Sequence, residues 1–121
     1  MIEPRRWAPS MLWTAGIFIA TSLPGSALPS ISPFAGADKV VHASMYAALG
    51  ALVARALAQG GRRAFVLPLA MIALLAAGDE WHQLWIPGRS ADVRDWMADV
   101  AGATVGLAFT YMALSRRERR T

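Results

Sequence analysis

Four stretches of the chain are apolar for close to twenty residues each, at about 7–24, 40–58, 64–84 and 96–114, and glycine, proline and charge separate them. A helix rises ~1.5 Å per residue, so ~20 residues cross a hydrocarbon layer ~30 Å thick. Backbone amides facing lipid must be paired within their own segment or within a closed barrel, and the runs lack the apolar/polar alternation of barrel strands. The expected fold is therefore all-α, a polytopic transmembrane bundle of about four helices, with residues 1–121 as a single domain. A hydrophobic content of 55% against 17% charge exceeds what one small water-soluble core uses.

Charge is sorted along this weave. Arg5 and Arg6 precede the first run, Arg55, Arg62 and Arg63 lie between the second and third, and Arg116, Arg117, Arg119 and Arg120 follow the fourth. A chain crossing four times brings all of these to one side and leaves Lys39, Arg89 and Arg94 on the other. The excess of arginine on the first side marks it as cytoplasmic, so both termini are expected in the cytoplasm and the protein in the cytoplasmic (inner) membrane. A sequence pI near 10.7 would suit nucleic acid if the arginines shared one folded surface. Spread over three membrane-flanking segments, they argue against it. Of the carboxylates, Asp38, Asp79, Glu80, Asp92, Asp95 and Asp99 fall on the non-cytoplasmic side.

The chain has no cysteine, which excludes disulfides, thiolate metal sites and cysteine nucleophiles. Residues 1–27 also carry the marks of a secretory signal: Arg5-Arg6, an apolar stretch and the small-residue segment Pro24-Gly25-Ser26-Ala27. Cleavage there would leave three spans in the same orientation. Loop 24–36 is rich in proline, glycine and serine and reads as irregular. Asp38 is placed to cap the second helix, Gln59-Gly60-Gly61 to stop it, and Asp92 to begin the fourth. Trp81 and Trp85 suit a membrane interface.

The outer polar residues share helix faces, because side chains three or four positions apart project from the same side. Asp38, His42 and Tyr46 step along the second helix, Asp79 and Gln83 along the third with Glu80 and His82 beside them, and Asp92, Asp95 and Asp99 along the fourth. Counted from Arg55, Ala64 and Ser115 at the cytoplasmic boundaries, His42, Asp79 and Asp99 all lie roughly 20–24 Å up. Polar groups at that depth face the bundle interior and one another. A polar pocket open to the outside, lined by three helices, is the expectation.

Plainer roles compete at each position. Asp38 and Asp92 suit helix caps, Asp92 and Asp95 suit pairing with Arg94 or Arg89, and Tyr46 and His82 suit the headgroup level. Gly102 and Gly106 form a small-xxx-small pattern that lets helices approach closely. His42, Glu80, Gln83 and Asp99 are the positions where depth or shared facing most requires partners.

Thr21-Ser22-Leu23-Pro24, Asp38-Lys39-x-x-His42-x-x-x-Tyr46, Asp79-Glu80-x-x-Gln83, Pro87-Gly88-Arg89, Asp92, Asp95, Gly102 and Gly106 together resemble the VanZ-like membrane proteins, a family named for an accessory protein of glycopeptide (teicoplanin) resistance. Asp99 stands where that family is expected to favour asparagine, which adds negative charge. The resemblance implies a bacterial cell-envelope membrane protein, whereas a shared fold supplies no reaction.

The ligand-binding candidates are Asp38, Lys39, His42, Tyr46, Asp79, Glu80, Gln83, Arg89, Asp92, Asp95 and Asp99. In the first reading Arg89, Lys39 and His42 meet an anionic or lipid-linked envelope ligand, while Glu80, Gln83, Asp95 and Asp99 position that cluster or hold a cation. In the second, an intramembrane enzyme acts on a lipid phosphate or glycan, with His42 and Glu80 as the catalytic candidates. An oxygen-rich set with one or two histidines suits Mg²⁺, Ca²⁺ or Mn²⁺ as the cofactor better than zinc. The expected partners are membrane lipids and a lipid-linked envelope precursor. A proton-coupled carrier would need a homo-oligomer, because one short chain holds no inverted repeat.

Overall fold

A computed structural model describes residues 3–27, 34–59 and 64–121, with Gln59 described by its backbone alone. Four α-helices account for most of these: α1 (Pro4–Thr21), α2 (Ala37–Gln59), α3 (Val66–Gln83) and α4 (Val93–Glu118), with a short 3₁₀ turn at Gly25–Ala27. No strand occurs among the described residues. Arg62, Arg63, the glycine stop at Gly60-Gly61 and residues 28–33 of the irregular loop lie outside them.

The helix ends follow local chemistry. Pro4 sits at the start of α1, where its missing N–H would have had no intrahelical partner. Asp92 is the N-cap of α4 and accepts a hydrogen bond from the Arg94 backbone N–H at 2.8 Å, while Arg116 and Arg117 lie in the last turn, where the helix dipole favours cations. Asp38 departs from the capping expectation. The second helix already begins at Ala37, so Asp38 lies inside its first turn, and its carboxylate pairs with Lys39.

α2 and α4 form the central pair. They run parallel, with Gly102 against Ala43 and Gly106 against Ala47, so tightly that a Cβ on either glycine would sit 2.0 Å from the opposing carbonyl oxygen. Gly50 faces Ala103 in the same manner. α1 packs on α2, where the Trp13 indole N–H donates to the Met45 carbonyl at 2.8 Å. α3 packs antiparallel on α4 through Trp96, whose indole N–H donates to the Ala73 carbonyl (2.9 Å), and through Tyr111, whose hydroxyl donates to the Ala64 carbonyl (2.7 Å). α1 and α3 meet near their C-terminal ends and leave between them an apolar groove of about 600 Å³, floored by Leu49, Val53 and Leu57 of α2.

Burial is inverted relative to a water-soluble domain. Asp79 and Asp99 are fully buried, whereas Leu12, Leu74 and Phe109 are 73%, 74% and 69% exposed. An apolar surface this extensive is an interaction surface. Two helices, over Ala37–Ala58 and Val93–Glu118, are long and apolar enough to cross a membrane. α1 and α3 have 18 residues each, about 27 Å at ~1.5 Å per residue, and the last turns of α3 hold Asp79, Glu80, His82 and Gln83.

Candidate functional site

The N-terminal ends of α2 and α4 and the C-terminal end of α3 converge on one buried polar cluster. His42 Nδ1 shares a hydrogen bond with Asp99 Oδ1 at 2.9 Å, and His42 Nε2 lies 3.7 Å from Asp95 Oδ2. These contacts follow from the parallel α2/α4 register. The glycine contact that brings Gly102 to Ala43 carries Asp99, one turn earlier on α4, towards His42. Glu80 of α3 closes the third side, and its Oε2 accepts from the Asp92 backbone N–H at 2.9 Å. Donor atoms of His42, Glu80 and Asp99 all lie within 4.8 Å of one another.

Two neighbouring groups extend the cluster. Asp79 Oδ1 accepts from the Thr21 hydroxyl of α1 at 2.6 Å. The Tyr46 hydroxyl lies close enough to Asp79 to feel its charge, yet closes no full hydrogen bond. On the outer rim Lys39 donates to Asp38 (2.8 Å), Asp92 (3.1 Å) and Asp95. An ammonium has three donors, and here all three are engaged. Asp92, outside the helix it caps, has its carboxyl held below the usual carboxylate range, first by the Arg94 N–H and then by Lys39.

Arg89 occupies a different place from the one its chemistry suggested. Its Nε donates to the Leu23 carbonyl (3.1 Å) and its Nη2 to the Ala20 carbonyl (3.2 Å), so the guanidinium caps the C-terminal end of α1. The turn that carries it is fixed by a backbone contact in which Gly25 N–H donates to the Pro87 carbonyl at 3.0 Å, with Gly88 at φ +72°. Positive φ and close approach of Gly25 to Gly88 both require glycine. Arg89 thus ties α1 to the α3–α4 turn with two of its five N–H groups, a structural brace beside the anion contact expected of it. Asp92 and Asp95 pair with Lys39 rather than with Arg89 or Arg94.

The cluster is also less open than expected. His42, Glu80 and Asp95 are 8%, 6% and 9% exposed, and Asp79, Asp99 and Tyr46 are at 0%. Gln83 is likewise buried. Inside it, Tyr46 Oη, Asp79 Oδ2, Glu80 Oε1, Gln83 Nε2 and Asp99 Oδ2 have no hydrogen-bond partner among the described residues. Buried polar atoms are nearly always paired, so five in one cluster mark a place where a further partner belongs.

The model of the family described as VanZ/LLP1 matches residues 5–114, which include every residue of the cluster. The chain belongs to the VanZ-like family. Membership of the VanZ-like family, together with two helices able to cross a bilayer, makes it a membrane protein. No curated protein and no solved structure matches it.

Thr21 is the functional neighbour that the helical-face argument missed. It lies on α1, a helix with no acidic residue after Glu3, so no polar stripe pointed to it. The Thr21-Ser22-Leu23-Pro24 segment was the one available signal, because a threonine near the end of an apolar helix has a hydroxyl to place.

Proposed function

We propose that this protein is a four-span component of the bacterial cytoplasmic membrane, both termini inside, that binds a lipid-linked cell-envelope amphiphile at the outer ends of its helices. The cluster of unpaired buried polar atoms directly above an apolar groove is the observation that carries this reading. Leu49, on the groove floor, lies one helical turn below Tyr46, and Leu75, on its wall, one turn below Asp79. Phe18, at the groove's outer end, packs its ring 6.1 Å from that of His82. From Trp7 to Phe18 the groove follows α1 over twelve residues, about 16 Å at ~1.5 Å rise. A hydrocarbon chain fills such a groove from the side while its headgroup meets Tyr46, Asp79, Gln83 and the His42–Asp99 pair.

The His42–Asp99 hydrogen bond beside Glu80 also has the form of an acid–base pair. It supports the second reading, in which the bound amphiphile is altered at its phosphate or glycan. One experiment separates them. The full chain is purified into nanodiscs with a bacterial envelope lipid extract, and bound lipid is identified by native mass spectrometry. Enrichment of one lipid-linked species over bulk phospholipid is expected, with its loss in Ala15→Trp, which fills the groove. A new product mass would favour catalysis. A bound profile that mirrors the bulk lipid, and is indifferent to Ala15→Trp, would remove the proposal.

A further inference from the structure

The geometry points to a divalent-cation site formed by His42, Glu80 and Asp99, one residue from each of α2, α3 and α4. It does not depend on the amphiphile, since an ion of this kind binds the protein alone. Their donor atoms lie within 4.8 Å of one another. Metal–ligand bonds of ~2.0–2.6 Å place two ligands of one ion roughly 3–5 Å apart, so the three fit around a single centre.

Acidic clusters are common without metals, and what distinguishes this one is its unmet valence. Glu80 Oε1 and Asp99 Oδ2 are buried with no hydrogen-bond partner among the described residues, on side chains only 6% and 0% exposed. Ionised on binding, the two carboxylates supply two negative charges, which a divalent ion cancels while filling the unpaired oxygens. Lys39 is the one ammonium nearby, and its three donors go to Asp38, Asp92 and Asp95 rather than to Glu80 or Asp99.

The surroundings suit ligation. Glu80 Oε2 is held by the Asp92 N–H at 2.9 Å, which orients the carboxylate and leaves Oε1 free to turn inward. Asp95, 3.7 Å from His42 Nε2, supports the imidazole from its far side. Such supporting contacts fix the direction of ligand side chains. Binding requires the His42 Nδ1–Asp99 Oδ1 hydrogen bond to give way to the ion, and any proton on Nδ1 moves to Nε2, on the side facing Asp95, or to solvent. Two carboxylates and one imidazole, without thiolate, select a cation of the Mg²⁺ or Mn²⁺ kind.

The test uses the full chain in detergent, stripped with chelator and titrated with Mn²⁺ in the absence of added lipid. One bound Mn²⁺ per chain is expected by electron paramagnetic resonance and calorimetry. Glu80→Gln and Asp99→Asn should each weaken binding by about tenfold or more, while Glu3→Gln, at the opposite end of the bundle, leaves it unchanged. Bound Mn²⁺ should show hyperfine coupling to one imidazole ¹⁴N in the unaltered protein, and this reading stands even if a variant fails to fold. The site is disproved by an absence of stoichiometric Mn²⁺, by bound Mn²⁺ without ¹⁴N coupling, or by full affinity in both folded carboxamide variants.

Discussion

Gly102→Ala tests the contact on which the whole site rests. A Cβ at Gly102 would meet the Ala43 carbonyl oxygen at 2.0 Å, its carbon at 2.7 Å and its Cα at 2.8 Å, whereas ordinary contact begins at 3.4 Å. The shortfall at the oxygen is therefore about 1.4 Å, and it falls on backbone, which cannot rotate aside. Alanine raises helix propensity by up to ~1 kcal/mol, but overpacking costs ~1–3 kcal/mol, and a backbone clash belongs at the upper end. The expected net loss is about 2 kcal/mol. The same retreat of α2 stretches the 2.9 Å His42–Asp99 contact past hydrogen-bonding range, because both residues neighbour the crossing. Unfolding in mixed micelles, followed through the five tryptophans, measures the loss. Gly78→Ala is the control, since nothing lies within 4 Å of its Cβ position, and it should hold or slightly gain stability. If Gly102→Ala unfolds at the same denaturant concentration as the parent, the close α2/α4 crossing is wrong, and with it the origin of the cluster.

Thr21→Val keeps the shape of the side chain but leaves Asp79 without its 2.6 Å donor, so the same unfolding assay should show a loss of about 1–3 kcal/mol, with Thr21→Ser close to the parent. Arg89→Ala frees the Ala20 and Leu23 carbonyls and should speed amide exchange across residues 20–25. It should lower stability by about 1–2 kcal/mol without changing Mn²⁺ affinity, and a loss of ligand with unchanged stability would restore the anion-clamp role. Because the chain contains no cysteine, single cysteines report topology directly. Ser90→Cys should react with an impermeant maleimide on intact cells and Thr121→Cys only after permeabilisation; the reverse pattern would invert the proposed orientation.

Much of the site was legible because helical periodicity is a strong constraint. Counting by threes and fours puts His42 and Asp99 on polar stripes with Glu80 flanking Asp79 and Gln83, and in the structure His42, Glu80 and Asp99 stand together. Gly102 and Gly106 could be read as packing residues, but their partners Ala43 and Ala47 could not, since one alanine in an apolar helix looks like any other. Arg89 and Lys39 show the limit of reading charge from sequence. Their type suits an anion, yet what each meets is decided by the α3–α4 turn and by a parallel helix pair that is distant along the chain. Asp38 was misplaced by two positions because α2 begins at Ala37 and its cap position is Gly36, and that moves a carboxylate from backbone capping to an ion pair.

The charge arrangement restricts what the cluster's end of the bundle can hold. Six carboxylates gather there against three fixed cations: Lys39 is engaged by three carboxylates, Arg89 spends two of its five N–H groups on carbonyls, and Arg94 is exposed on the first turn of α4. A bare phosphate approaching Asp79, Glu80 and Asp99 would meet like charge in a poorly hydrated setting, where repulsion is weakly screened. An anionic headgroup in contact with the buried carboxylates themselves therefore needs a cation or protons between it and them. A neutral headgroup rich in hydroxyl or amide donors needs neither. Chelator separates the two cases: it releases an anionic ligand bridged by metal at His42, Glu80 and Asp99, and leaves in place a ligand held by donors alone.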